Sequence, residues 1–115
     1  MPDEPLDPED AKLVTLARAT RARTSAASAA AVRDTTGRTY AAAAVSLPSL
    51  ELSALQAAVV VALGSGASGL EAAAVLADRP SVDDISLSAV RELAGSGVPV
   101  VLADAAGEVQ GTVRS

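Results

Sequence analysis

The 115-residue chain contains no cysteine, histidine, tryptophan or phenylalanine; Tyr40 is its one aromatic and Met1 its one methionine. Without thiols there are no disulfides, although this leaves the redox compartment open. Without imidazole or thiol, Ser-His-Asp and Cys-His catalytic arrangements are excluded. A tight site for a soft or borderline metal is excluded too, because zinc is held by thiolate and imidazole with carboxylates only as additional ligands. The lack of aromatics removes the platforms on which bases stack, and a formal net charge of −5 is opposite to what phosphate binding demands. Nucleic acid is therefore not an expected partner. Long hydrophobic runs are also missing. The longest, Ala54 to Leu63, is interrupted by Gln56 and stopped by Gly64, far short of the roughly 20 residues of a membrane span. The start, Met1 to Asp10, is acidic and proline-rich, whereas a secretory signal carries a positive flank and an apolar stretch. The chain is expected to be soluble and cytoplasmic.

Hydrophobic residues make up 50% of the sequence, almost all of them Ala, Val and Leu. One domain of this size buries a continuous core without staples. That core is thin, because alanine methyls bury little area at roughly 25 cal/mol per Å². Association into a homodimer or homotetramer is the expected remedy.

Residues 1–6 read as a disordered acidic tail and 7–115 as a single domain. Asp7 caps a first helix with Pro8 at its first position and acids in its first turn. Leu13, Leu16, Ala17 and Thr20 share one side of it, and it is expected to end near Arg23 to Ser25. Ala29 to Arg33 and Arg38 to Val45 flank the turn Asp34-Thr-Thr-Gly37, the pattern of a hairpin. Ser49 after Pro48 is expected to cap a second helix, with Leu52, Leu55, Val59 and Leu63 at helical spacing and Val60 and Val61 widening the apolar face. Such a helix suits a place against the sheet and against a neighbouring subunit. Leu70 to Ala77 reads as a strand covered on both faces. A third helix is expected from a capping box of Ser81 and Asp84, with Ile85, Ala89 and Leu93 inward. Val98 to Asp104 and Glu108 to Val113 complete the order α-β-β-α-β-α-β-β. The expected fold is α/β, a three-layer α-β-α sandwich around a mixed five-stranded sheet.

Few groups remain for chemistry. Asp78, Asp83 and Asp84 fall at a strand-to-helix connection, where a weak Mg²⁺ or Ca²⁺ site is conceivable but helix capping is the plainer role. Gly64 to Gly69 is glycine-rich, yet it follows a helix and precedes a strand, the reverse of a phosphate loop, and it lacks the lysine. Basic residues gather between Lys12 and Arg38, which reads as a solvated face. Lys12 is most simply a surface charge. Tyr40 is expected to lay part of its ring on the sheet.

The element order, the turn Thr35-Thr-Gly37-Arg-Thr-Tyr40 and the stretch Ser53 to Gly66, with Ala54, Ala58, Ala62 and Gly66 in matching register, resemble the small homotetrameric cytidine deaminases over about residues 9 to 113. The resemblance implies their sandwich fold and an assembly with sites formed between subunits. It also implies a zinc-bound water attacking the ring carbon, with a glutamate shuttling the proton. In this register the first metal ligand falls on Ser53 and the glutamate on Leu55. The Pro-Cys-x-x-Cys signature falls near Ser86 to Val90, at Leu87 and Val90 in particular, with Arg91 at the place of a family arginine or glutamine. The ribose-holding asparagine and glutamate fall on about Ala44 and Ser46. A metal lowers the pKa of water from roughly 16 to about 7, so its loss removes up to roughly 12 kcal/mol of nucleophile activation. The expectation is an inactive deaminase-like protein, without metal or cofactor, that acts through self-association or a protein partner. The alternative is a sensor of nucleosides or nucleotides using the same cleft.

Overall fold

The Asp7 carboxylate accepts a hydrogen bond from the Glu9 backbone N–H at 2.8 Å and starts α1 (Pro8–Thr24). The helix stops at Ser25, whose φ of 55° turns the chain left-handed. A computed structural model describes residues 6–115. Most of the expected tail, Met1 to Pro5, lies outside the described residues, but Leu6 packs against the core beneath α1.

Ten elements follow one another: α1, β1 (Ser28–Asp34), β2 (Thr39–Ala43), β3 (Val45–Leu47), β4 (Leu50–Leu52), α2 (Ala54–Gly64), β5 (Leu70–Ala77), α3 (Asp84–Ala94), β6 (Pro99–Ala103) and β7 (Val109–Arg114). Five strands form one mixed sheet in the order β2-β1-β5-β6-β7. Only β5 and β6, joined through α3, run parallel; the other neighbours are antiparallel. The period-2 alternation of the strands sorts their small side chains into two thin cores. Ala31, Ala72, Ala74, Leu76, Val101 and Ala103 meet Leu13, Val14 and Ala17 of α1. Ala30, Val32, Ala73, Val75 and Val100 meet α2 and α3 on the opposite face. The result is the expected α-β-α sandwich around a mixed five-stranded sheet. No helix among the described residues is long and apolar enough to cross a membrane.

Two expectations about helices are corrected. Ser49 caps nothing: Val45 to Leu52 folds as a separate two-stranded hairpin, β3 with β4, and α2 begins four residues later. Ser53 and Gln56 form a reciprocal capping box, each side chain accepting from the other's backbone N–H, whereas Ser49 has only Leu52 three residues on and nothing to return the bond. Likewise α3 is capped by Asp83, which accepts from Ser86 N–H at 2.9 Å, not by Ser81. Ser86 and Val90 then face inward, and Ile85 is 68% exposed. Val59 is buried as expected, but Val60, Val61 and Leu63 are 54%, 40% and 58% exposed.

Three of the six basic residues between Lys12 and Arg38 are taken up by ion pairs. Lys12 meets Glu9, Arg21 meets Asp78, and Arg33 joins α1 to the sheet through Asp10 at 3.0 Å and Glu71 at 2.9 Å. At the β1–β2 turn, Asp34 is buried and fully engaged. It accepts from the Thr36 N–H and hydroxyl, the Arg38 N–H and, at 2.8 Å, the Tyr40 hydroxyl, while Gly37 supplies a φ of 89°. Tyr40 does lie partly against the core. These donors, the Thr36 hydroxyl foremost, hold the Asp34 carboxyl at a pKa of about 2, below the ordinary 3.8. A depressed carboxylate stabilises the fold above its unfolded pKa, and that contribution is lost as pH falls through the folded value. Wild type is therefore expected to lose Tm between about pH 4 and pH 2 more steeply than Asp34→Asn. Parallel acid limbs in a calorimetric pH series would refute this.

Candidate functional site

The N-termini of α2 and α3 meet beside the sheet, where each cap holds its helix start in place and each start offers a serine, as the cap itself in α2 and in the first turn of α3. Ser53, the cap of α2, and Ser86, in the first turn of α3, bring their hydroxyl oxygens to 2.6 Å although they lie 33 residues apart. Ser86 is 2% exposed. Its backbone N–H bonds the Asp83 carboxylate, and its hydroxyl, the larger influence, helps hold that carboxyl below its ordinary pKa. A cavity of about 280 Å³ opens at this junction, lined by Ser28, Ser53, Leu55, Arg79, Ser81 and Ser86 among others. Leu55, 2% exposed, forms part of its apolar wall.

The residues singled out from the sequence are distributed unevenly. Ser53 and Leu55 are at the cavity. Leu87 is not: one position earlier, Ser86 is the residue that touches Ser53, and Leu87 leans on the core instead. Val90 is fully buried in that same core. Ala44 follows β2, where its N–H bonds the Ser28 carbonyl, and its side chain does not line the cavity. Ser46 is in β3 and faces a separate depression at the hairpin. Ser28 and Arg79 carry no expectation from the sequence, while Ser81 is expected there only as a helix cap and Ser86 only as the start of the stretch matching the cysteine signature. The available signal was Ser86 three residues after Asp83, the spacing of a cap and its bonded N–H.

Asp78, Asp83 and Asp84 do not converge: Asp78 pairs with Arg21, Asp83 caps α3, and Asp84 lies 3.4 Å from Arg91. Among the described residues no three His, Cys, Asp or Glu side chains gather around a point. The zinc implied by the family resemblance does not fit the residues present. Thiolates about 2.3 Å from a tetrahedral zinc stand roughly 3.7 Å from each other, whereas Ser53 and Ser86 present neutral hydroxyls 2.6 Å apart. That separation is an ordinary O–H···O hydrogen bond, with no room for an ion between its ends.

This fold recurs in solved structures. Cytidine deaminase from Burkholderia pseudomallei superimposes with a TM-score of 0.78 at 22% identity, over 89% of each chain. The enzyme from Mycobacterium leprae gives 0.72 at 19% identity, over 90% of this chain and 93% of its own. A mutant cytidine deaminase from Mycobacterium tuberculosis gives 0.70 at 21% identity, over 82% of both. No curated protein matches the sequence. A family profile described as cytidine deaminase-like matches residues 6–107. With nearly the whole domain inside that match, and the fold shared with the solved enzymes, the chain belongs to the cytidine deaminase-like family.

Proposed function

We propose that this chain is a zinc-free member of its family that does not deaminate cytidine and acts by association, first of all with further copies of itself. The carrying observation is chemical. Where the resemblance puts a metal ligand and a proton-shuttling glutamate, the chain has Ser53 and Leu55, and nowhere does it contain a histidine or cysteine. Leu55 has no proton to transfer, and the Asp83 carboxyl is held below its ordinary pKa, which makes it a poor general base. The exposed apolar residues of α2 support the associating role: Val60, Val61 and Leu63 lie on a helix that carries no charged residue.

One preparation of purified protein tests both halves. Metal analysis is expected to find zinc far below one ion per chain, and cytidine is expected to release no ammonia above a chelated control. Light scattering at micromolar concentration is expected to give a dimer or tetramer. Stoichiometric zinc, or ammonia release that survives contaminant controls, overturns the inactive reading, and a monomer overturns the associating one. A saturable thermal shift with nucleosides would instead favour a sensor using the 280 Å³ cavity.

A further inference from the structure

We infer that the Ser53–Ser86 hydroxyl pair is a built-in substitute for a metal bridge: it ties the N-termini of α2 and α3 together by a direct hydrogen bond, so that the native fold is the ion-free one. The two hydroxyl oxygens stand 2.6 Å apart, so one donates to the other. Each serine is also anchored at its own helix start: Ser53 accepts from the Gln56 N–H at 3.1 Å, and the Ser86 backbone N–H donates to the Asp83 carboxylate at 2.9 Å. The hydroxyl pair therefore links two helix starts that are each already held by their caps.

The tie joins elements that otherwise share few anchors. α2 rests on β1 and β2, while α3 packs on α2 and β5, and of the α3 side chains only Ser86 and Val90 are fully buried. A hydrogen bond between one buried and one part-buried hydroxyl therefore fixes how the two helices meet. The inference shares with the proposed function only its zinc-free half and is independent of any association.

A double-mutant cycle tests it, with Ser53→Ala, Ser86→Ala and the double variant compared by thermal unfolding at one protein concentration. Each single change is expected to lower Tm by about 3–6 °C. The double variant is expected to fall short of the sum by at least about 2 °C, since the second deletion breaks no further bond between them. Ser86→Thr, which keeps a hydroxyl, should recover most of the loss. Neither zinc nor a chelator should move the wild-type Tm. Additive losses, or no recovery with Ser86→Thr, would overturn the tie, as would a zinc-dependent rise in wild-type Tm. Metal analysis of the purified protein separates these failures from failure of the proposed function: additive losses in a zinc-free protein reject the tie alone.

Discussion

Leu13→Ala is expected to lower the unfolding free energy by about 2–5 kcal/mol, towards the upper end of that range. The reason is the company Leu13 keeps. It is fully buried in the core beneath α1, and five of its eight buried neighbours there are Ala17, Ala31, Ala72, Ala74 and Ala103. The cost of a cavity depends on how far the surroundings relax into it. An alanine has no side-chain torsion with which to follow, and those four sheet residues are fixed by hydrogen-bonded neighbours. Leu16→Ala, on the same helix but only part-buried, should cost much less. Urea unfolding at one protein concentration reads both. A Leu13→Ala loss below about 1 kcal/mol would show that the thin core collapses more freely than its composition allows.

The same thinness governs how much was legible in the sequence. Leu70 to Ala77 could be read as a doubly covered strand residue for residue, because an apolar run broken only by Glu71 between Gly69 and Asp78 has few other uses. Asp7-Pro8 gave away the start of α1, and Asp34 to Gly37 the hairpin turn, through local chemistry that needs no partner. Leu50-Glu51-Leu52 was not legible as a strand: three residues of period 2, followed directly by helical spacing, merge with the helix. The box of Ser53 with Gln56 was the signal that separates them. Ile85 was misplaced because on a helix a shift of one residue turns the inward face by about 100°, and Ser86, not Ile85, finds a partner. A one-residue step in the opposite direction, from Leu87 back to Ser86, separates the expected position from the residue that touches Ser53. Contact between Ser53 and Ser86 depends on how α2 and α3 meet, which no local pattern contains.

Charging the outer face of α2 is expected to take the proposed assembly apart. In Val60→Asp with Leu63→Asp, affinity between copies should fall by at least about a hundredfold, leaving monomer at micromolar concentration. Around the helix, Gln56, Val60, Leu63 and Gly64 fall on one arc, with Val61 at its margin and no charge among them. Such a surface is self-complementary by default, since two copies bring together no like charges despite a net charge of −5 on each. An aspartate placed there must either be desolvated opposite an apolar partner or meet its own symmetry mate, and both outcomes oppose closure. The monomer itself should be little affected, because Val60 and Leu63 are more than half exposed in the isolated chain. Val109→Asp is the matched control: 45% exposed and on the edge strand β7, it belongs to a different surface and should leave the assembly intact. Light scattering across a dilution series distinguishes the cases. An α2 double variant that stays assembled, or a Val109 variant that comes apart in its place, would move the contact from the helix to the sheet edge.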